Sequence, residues 1–195
     1  MKKVHNLVIL DASGSMDIIR KSAHSGLNTT IKQLKSIQKE MPDRQQLFTL
    51  VIFNSAQNEF LYSNSPIDEV GLLPYSAYRP EGCTPLYDAI GLGIHRINKV
   101  CQSQDTVLVT IITDGEENSS KEFTHAAVKQ LIAKCRQKGW DFTFIGTEGI
   151  DVKGISHSIG ITHNIVFQQS EKGTSKMFEQ RNIEISDFNK RLSKG

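Results

Sequence analysis

Three short apolar runs, Val4 to Leu10, Leu47 to Asn54 and Val107 to Thr113, are rich in β-branched residues and stop at Asp, Asn or Gly. Runs this short and this apolar are the pattern of strands covered on both faces, as in a parallel sheet flanked by helices. Between the first two lies Asp17 to Met41, where Ile18, Ala23, Leu27, Ile31, Leu34 and Ile37 recur at helical spacing and Pro42 marks the stop. That spacing predicts an amphipathic crossover helix. A second helix is expected from Pro85, with Leu86, Ala89, Ile90, Gly93, Ile94 and Ile97 turned inward, because proline suits a first helical turn. A third is expected from about Lys121 to Lys138, closed by Gly139.

Trp140 to Ile145 and Asn164 to Phe167 are expected as two further strands. Asn58 to Tyr62 follows the second strand too closely for a parallel return and is expected as an antiparallel edge. Ser63 to Gly82 is the least regular stretch. Residues 171–193 predict a terminal helix with Phe178, Ile185, Phe188 and Leu192 on one stripe and Lys190, Arg191 and Lys194 at its end, where positive charge suits the macrodipole. The alternation β-α-β-β-α-β-α-β-β-α implies an α/β protein: a doubly wound, Rossmann-like three-layer sandwich with a mostly parallel six-stranded sheet and one antiparallel edge strand.

At 195 residues with no linker, repeat or low-complexity tract, the whole chain 1–195 is expected to form one domain. A formal charge of +2, from 23 Lys and Arg against 21 Asp and Glu, gives no global attraction to nucleic acid or an acidic membrane. Cys83, Cys101 and Cys135 form no Cys-x-x-Cys pair and leave one unpaired in any disulfide scheme, which suits a reducing compartment. Met1-Lys2-Lys3 is followed by His5 and Asn6 rather than a long apolar stretch, so no export signal is read and a cytoplasmic location is expected.

Asp11-Ala-Ser13-Gly-Ser15 lies where the first strand ends and the first long helix begins, and Thr113-Asp114-Gly115 ends another strand in the same way. Ligands of open parallel sheets bind outside the carboxyl ends of the strands, so oxygen-bearing side chains there are placed for a site. Two carboxylates and two hydroxyls without His or Cys are hard donors, suited to Mg²⁺ or Mn²⁺ rather than Zn²⁺. None of the six histidines has metal-site spacing. Gly91-Leu-Gly93 lacks a dinucleotide fingerprint, and Asn28-Thr-Thr30 and Asn118-Ser-Ser120 are read as chance matches to a glycosylation acceptor.

These residues resemble the von Willebrand factor A (VWA) domains, whose metal-ion-dependent adhesion site (MIDAS) has the pattern Asp-x-Ser-x-Ser, a later Thr and a later Asp. Here they are Asp11-Ala-Ser13-Gly-Ser15, Thr84 in Gly82-Cys-Thr-Pro-Leu-Tyr-Asp88, and Asp114 in Ile112-Thr-Asp-Gly-Glu-Glu-Asn118. At roughly 5 to 7% usage per residue, a chance Asp-x-Ser-Gly-Ser in a chain of this length has a probability of order 0.3%. The resemblance covers most of the chain and implies strand order 3-2-1-4-5-6, with the strands ending in Asp11 and Asp114 side by side. It also implies a non-catalytic binding module in which Asp11, Ser13, Ser15, Thr84 and Asp114 hold Mg²⁺, or Mn²⁺, and a partner protein's Asp or Glu completes the coordination. Bacterial and phage cytosolic members often stand alone, and some resemble subunits that work with AAA+ ATPases or stress-response systems.

Two other readings use the same residues. Ser13 and Thr84 could cap helices and Asp114 a turn. Alternatively Asp11 could be the nucleophile of a haloacid-dehalogenase-type phosphotransferase, but Ser13 stands where that chemistry needs a second acid. Glu116 and Glu117 are read as a solvated acidic loop, Asp17 as a first-turn acid, and Asp88 as supporting either Thr84 or its own helix. Ser55 to Gln57, Gly82 to Thr84 and Glu116 to Ser119 are expected to frame the partner surface.

Overall fold

Each apolar run becomes a strand and each helical periodicity a crossover. The computed structural model describes residues 2–56 and 58–193; the expectations for Met1, Gln57 and Lys194 lie outside the described residues. In chain order the elements are β1 (Lys2–Asp11), a 3-10 turn (Gly14–Ile19), α1 (Arg20–Glu40), β2 (Arg44–Phe53), β3 (Asn58–Pro66), α2 (Leu86–Asn98) and β4 (Thr106–Thr113). They continue with α3 (His125–Gln137), β5 (Asp141–Thr147), α4 (Val152–Ser158), β6 (His163–Phe167) and α5 (Glu171–Leu192). The sheet order is β3-β2-β1-β4-β5-β6, and only the β2–β3 pair is antiparallel. The chain leaves β1 toward β2 on one side and returns to β4 on the other, which opens a crevice at the carboxyl ends of β1 and β4.

Alternation along the strands sends side chains into two separate cores. Leu7 and Ile9 of β1, with Val107, Val109 and Ile111 of β4, pack beneath α2, α3 and α4 through Ile90, Ile94, Val128, Ile132 and Val152. Val8 and Leu10, with Phe48, Leu50 and Ile52 of β2, pack beneath α1 and α5 through Leu27, Ile31, Leu34, Phe178 and Ile185.

Several local expectations change. Ile18 lies in the 3-10 turn rather than on the α1 stripe and is 70% exposed, because the tight turn after Ser13 shifts the helical phase. The third helix starts at His125, where Thr124 Oγ1 accepts from Ala127 N. The N–H groups of Lys121, Glu122 and Phe123 instead bind the Asp88 carboxylate. β3 continues to Pro66, with Asn64 in the left-handed region at φ 54, a conformation Asn tolerates better than most residues. The helix α4 was not anticipated; Asp151 caps it, accepting from Gly154 N.

The buried face of α5 is also more polar than its sequence stripe implies. Phe178 and Ile185 are buried, but Phe188 and Leu192 are only half-buried. Met177 adds one further apolar residue, and Thr174, Arg181, Asn182 and Asn189 occupy the rest of that face. Asn189 Oδ1 accepts from Gln46 Nε2 at 2.8 Å, Asn182 Oδ1 from Thr30 Oγ1 at 2.8 Å, and Arg181 Nε donates to Thr110 Oγ1 at 3.0 Å. The match is mutual, since the sheet beneath contributes Asn6, Gln46, Thr110 and Thr143, all buried.

Candidate functional site

β1 and β4 pair in parallel with Leu10 opposite Ile112, so Asp11 and Thr113 end their strands together and Asp114 lies one residue on. Asp11 is fully buried. Its Oδ1 accepts from Ser13 N at 2.6 Å, a local turn that aims the next residues back over the strand end, and its Oδ2 accepts from Thr113 Oγ1 at 2.5 Å. Ser15 Oγ donates to Asp114 Oδ1 at 2.8 Å and lies 3.3 Å from Ser13 Oγ. Four of the five expected residues therefore form one hydrogen-bonded cluster. Thr84, in the loop before α2, lies next to Gly115, the residue after Asp114: a β-carbon on Gly115 would lie 3.3 Å from Thr84 Oγ1.

Capping does not account for these side chains. The Ser13 side chain makes no cap bond to the 3-10 turn that follows it, and α2 is preceded by Pro85, which has no capping side chain. The loop carrying Thr84 is held by other means. Gly14 N donates to Gly82 O, Glu81 N to Ala12 O, Ser55 N to Cys83 O, and Cys83 N to Ser55 Oγ. Gly82 sits at φ +69, and a β-carbon there would come 2.3 Å from Ser55 Oγ, so only glycine fits.

Burial without a cationic neighbour sets the electrostatics. Among the described residues no ion pair reaches Asp11 or Asp114. Desolvation pushes the Asp11 pKa up to about 6, against hydrogen bonds from Thr113 and Ser13 that pull it down. Burial likewise raises Asp114, with Ser15 and Gln169 opposing. Two buried carboxylates beside three neutral hydroxyls form an all-oxygen donor set short of positive charge. That set fits a hard divalent cation such as Mg²⁺.

Neighbouring side chains take parts that sequence reading missed or assigned differently. Gln169, in the β6–α5 connection, donates from Nε2 to Asp114 Oδ2 at 2.6 Å and to Ser15 O at 3.3 Å. No motif marks it. Tyr78, from the stretch read as irregular, is fully buried and donates its hydroxyl to Asp11 O at 2.8 Å. Glu117, read as part of a solvated acidic loop, accepts from Tyr87 N, Ser119 N, Ser120 N and Ser120 Oγ. Glu116 is exposed, as that reading has it. Asn118 Oδ1 accepts from Thr84 N at 2.8 Å. Asp88 supports the 114–124 loop rather than Thr84. Asp88→Ala strands three backbone donors and is expected to cost about 2 kcal/mol, measured by urea denaturation; an unchanged midpoint would contradict that support.

No family model matches the chain, and no curated protein matches it. Solved structures do. The PilB minor pilin from Streptococcus sanguinis aligns with TM-score 0.68 at 13% identity, over 95% of this chain and 61% of that one. The pilus adhesin SpaC from Lactobacillus rhamnosus GG aligns with TM-score 0.71 at 11% identity, over 95% of this chain and 30% of that one. The vWF domain of the type V pili tip protein Mfa5 from Porphyromonas gingivalis aligns with TM-score 0.65 at 12% identity, over 94% and 96%. The chain has the VWA fold. It spans about three fifths of the minor pilin and less than a third of the adhesin, yet nearly all of the Mfa5 domain. Within this VWA fold the oxygen cluster occupies the crevice where the strand order reverses, the position from which open α/β sheets bind ligands.

Proposed function

We propose that the chain is a non-catalytic, divalent-cation-dependent protein-binding module. Asp11, Ser13, Ser15, Thr84 and Asp114 would hold Mg²⁺, or Mn²⁺, and a partner protein's Asp or Glu would complete the coordination. The observation that carries this reading is the pair of buried carboxylates, clustered with hydroxyls and, among the described residues, without an ion pair. The bound ion supplies Lewis acidity toward an incoming carboxylate oxygen. Ser13 and Ser15 contribute neutral oxygens, which leave the ion's charge incompletely balanced, and Gln169 holds Asp114 in place from above. Loops 54–56, 82–84 and 116–119 surround the cluster and supply the surface that discriminates partners.

Two of the structural neighbours are named as a pilus adhesin and a pilus tip protein, which supports a binding role by analogy of fold. No acid/base partner stands where a phosphotransferase needs one, since Ser13 occupies that position. Phosphatase assays are therefore expected to be blank. A reducing, cytoplasmic setting is part of this proposal and rests on the sequence alone, in which three cysteines leave one unpaired under any disulfide scheme.

Calorimetric titration tests the site. Wild type is expected to bind one equivalent of Mg²⁺ or Mn²⁺, Asp114→Ala none measurable, and Thr84→Ala to bind about 10-fold more weakly (about 1.4 kcal/mol) with an unshifted metal-free melting temperature. Affinity indifferent to all these changes would remove the assignment. Partner capture is expected with Mg²⁺ and lost with EDTA or Thr84→Ala; capture unaffected by either would remove the metal-bridged mechanism.

A further inference from the structure

At the opposite end of the sheet, His5, Cys101 and Asp105 bring three further donors together. His5 lies near the start of β1, Cys101 and Asp105 in the turn between α2 and β4, and the three donor atoms fall within 4.8 Å of one another. His5 and Asp11 are six residues apart on one strand, so this cluster lies about 20 Å from the oxygen cluster. We propose that these three side chains form a second cation site, selective for Zn²⁺ or a similarly thiophilic divalent ion, with an open fourth position.

The hydrogen bonding of His5 carries the inference. Its Nδ1 lies 2.9 Å from Asn64 Oδ1, a carboxamide oxygen that only accepts, so Nδ1 bears the proton. Nε2 then faces Asp105 Oδ2, an acceptor 3.2 Å away, so either a proton or a metal ion lies between the two. Both side chains are buried, at 1% and 2% exposure. Two acceptors held face to face out of water require a shared cation between them. Nδ1–H donated to an amide oxygen, with Nε2 facing a carboxylate and a thiol, is the arrangement that orients a metal-binding histidine.

The surroundings favour a metal ion over a proton. The Cys101 thiol adds a soft donor that a hydrogen-bonded His–Asp pair does not need, and thiol with imidazole selects Zn²⁺ over Mg²⁺. Tetrahedral Zn²⁺ spaces its N, O and S donors roughly 3.3 to 3.8 Å apart, within reach of side-chain rotation from the present separations. Asp105 is already fixed: its Oδ2 accepts from Gln102 N at 2.9 Å, and its own N–H donates to Gln102 O at 3.1 Å. Cys101, Ser103, Asp105 and Trp140 line a cavity of about 310 Å³, through which an ion and its remaining water can enter.

Cobalt substitution tests the proposal on the intact chain, with Mg²⁺ in excess to occupy hard-oxygen sites. Wild type and Asp11→Ala are expected to take up one equivalent of Co²⁺ with a thiolate-to-cobalt charge-transfer band and the intense visible bands of tetrahedral cobalt, displaced by Zn²⁺. Cys101→Ser is expected to lose the charge-transfer band, while Cys83→Ser and Cys135→Ser keep it. Zn²⁺ affinity, measured by competition with a chromophoric chelator, is expected to fall about 10-fold in Asn64→Gly, which preserves the left-handed backbone. Absence of the band in wild type, or its survival in Cys101→Ser, overturns the site. So does an NMR spectrum in which both His5 ring nitrogens stay protonated at saturating Zn²⁺, because a proton is then the shared cation. Because Asp11→Ala leaves this band in place, failure here is separable from failure of the proposed Mg²⁺ site.

Discussion

Asp11→Asn is expected to abolish divalent-ion binding and, in EDTA at pH 8, to make the protein about 3 kcal/mol more stable than wild type. The two effects share one cause. The folded-state pKa of Asp11 is raised to about 6 by burial, against about 3.9 in the unfolded chain. Between those values the folded state holds the proton more tightly, so stability is present below pH 4 and lost as pH rises through 6. The asparagine variant has no charge to strand. Its Oδ1 can accept from Ser13 N, and its Nδ2 can donate to Thr113 Oγ1, whose own proton then goes to Gly115 O at 3.0 Å. The difference between variant and wild type is therefore absent near pH 4, opens up to pH 6 and is constant above it. Mg²⁺ at about a thousandfold excess over Kd reverses the order, since only wild type gains from binding, by about 4.1 kcal/mol. Urea denaturation across pH, with EDTA or Mg²⁺, measures all of this. A variant less stable than wild type in EDTA at pH 8 would show that Asp11 is not a stranded charge.

Gly26→Ala is expected to destabilise the fold by about 3 kcal/mol, at the upper end for adding one methyl group to a core. Gly26 lies on α1 where the Phe178 ring of α5 rests on it. An added β-carbon would fall 2.1 Å from Phe178 Cδ2 and 2.4 Å from Cγ. Because Cγ lies on the rotation axis of the ring, turning the ring does not relieve the overlap, and α5 must lift. Lifting strains the nearby Thr30–Asn182 bond of 2.8 Å. Phe178→Ala alone is expected to cost about 3 to 4 kcal/mol through the cavity it leaves. The double variant is expected to be little worse than Phe178→Ala, since the overlap is gone. Thermal and urea denaturation of the four proteins supply the cycle; additive costs would mean that the two residues do not collide.

The strands were legible because each rests on a local signal, a continuous apolar run with an abrupt stop, whereas their order was implied only by the resemblance to VWA domains; the same stops put Asp11 and Asp114 at neighbouring strand ends. Positions set by distant partners were not legible. Asn6 and Thr110 lie inside runs read simply as apolar, yet they belong to a polar strip that α5 matches with Arg181, Asn182 and Asn189. Gln169 follows β6 in an ordinary connection, and only the folded chain brings it to Asp114, 55 residues away. Glu117 and Asp88 carry charge and so read as solvated or as helix-dipole partners, whereas Asp88 accepts from three backbone N–H groups of the 114–124 loop and Glu117 ties that loop to the start of α2. Ile18 fitted the helical period of its neighbours, but the tight turn at Gly14 to Ile19 lies outside that period.

The loop from Asp114 to Thr124 has no regular structure, yet Glu117 and Asp88 hold its residues 117–123 in place. That clamp bears on the rate at which a partner arrives. A surface loop that must first find its bound shape adds a slow, concentration-independent phase to association, and its ordering entropy is subtracted from affinity. Here the shape is already set by side chains belonging to the domain itself. For the partner binding proposed above, encounter is then expected to be limited by diffusion and orientation, with differences in affinity among partners expressed in how long each complex survives.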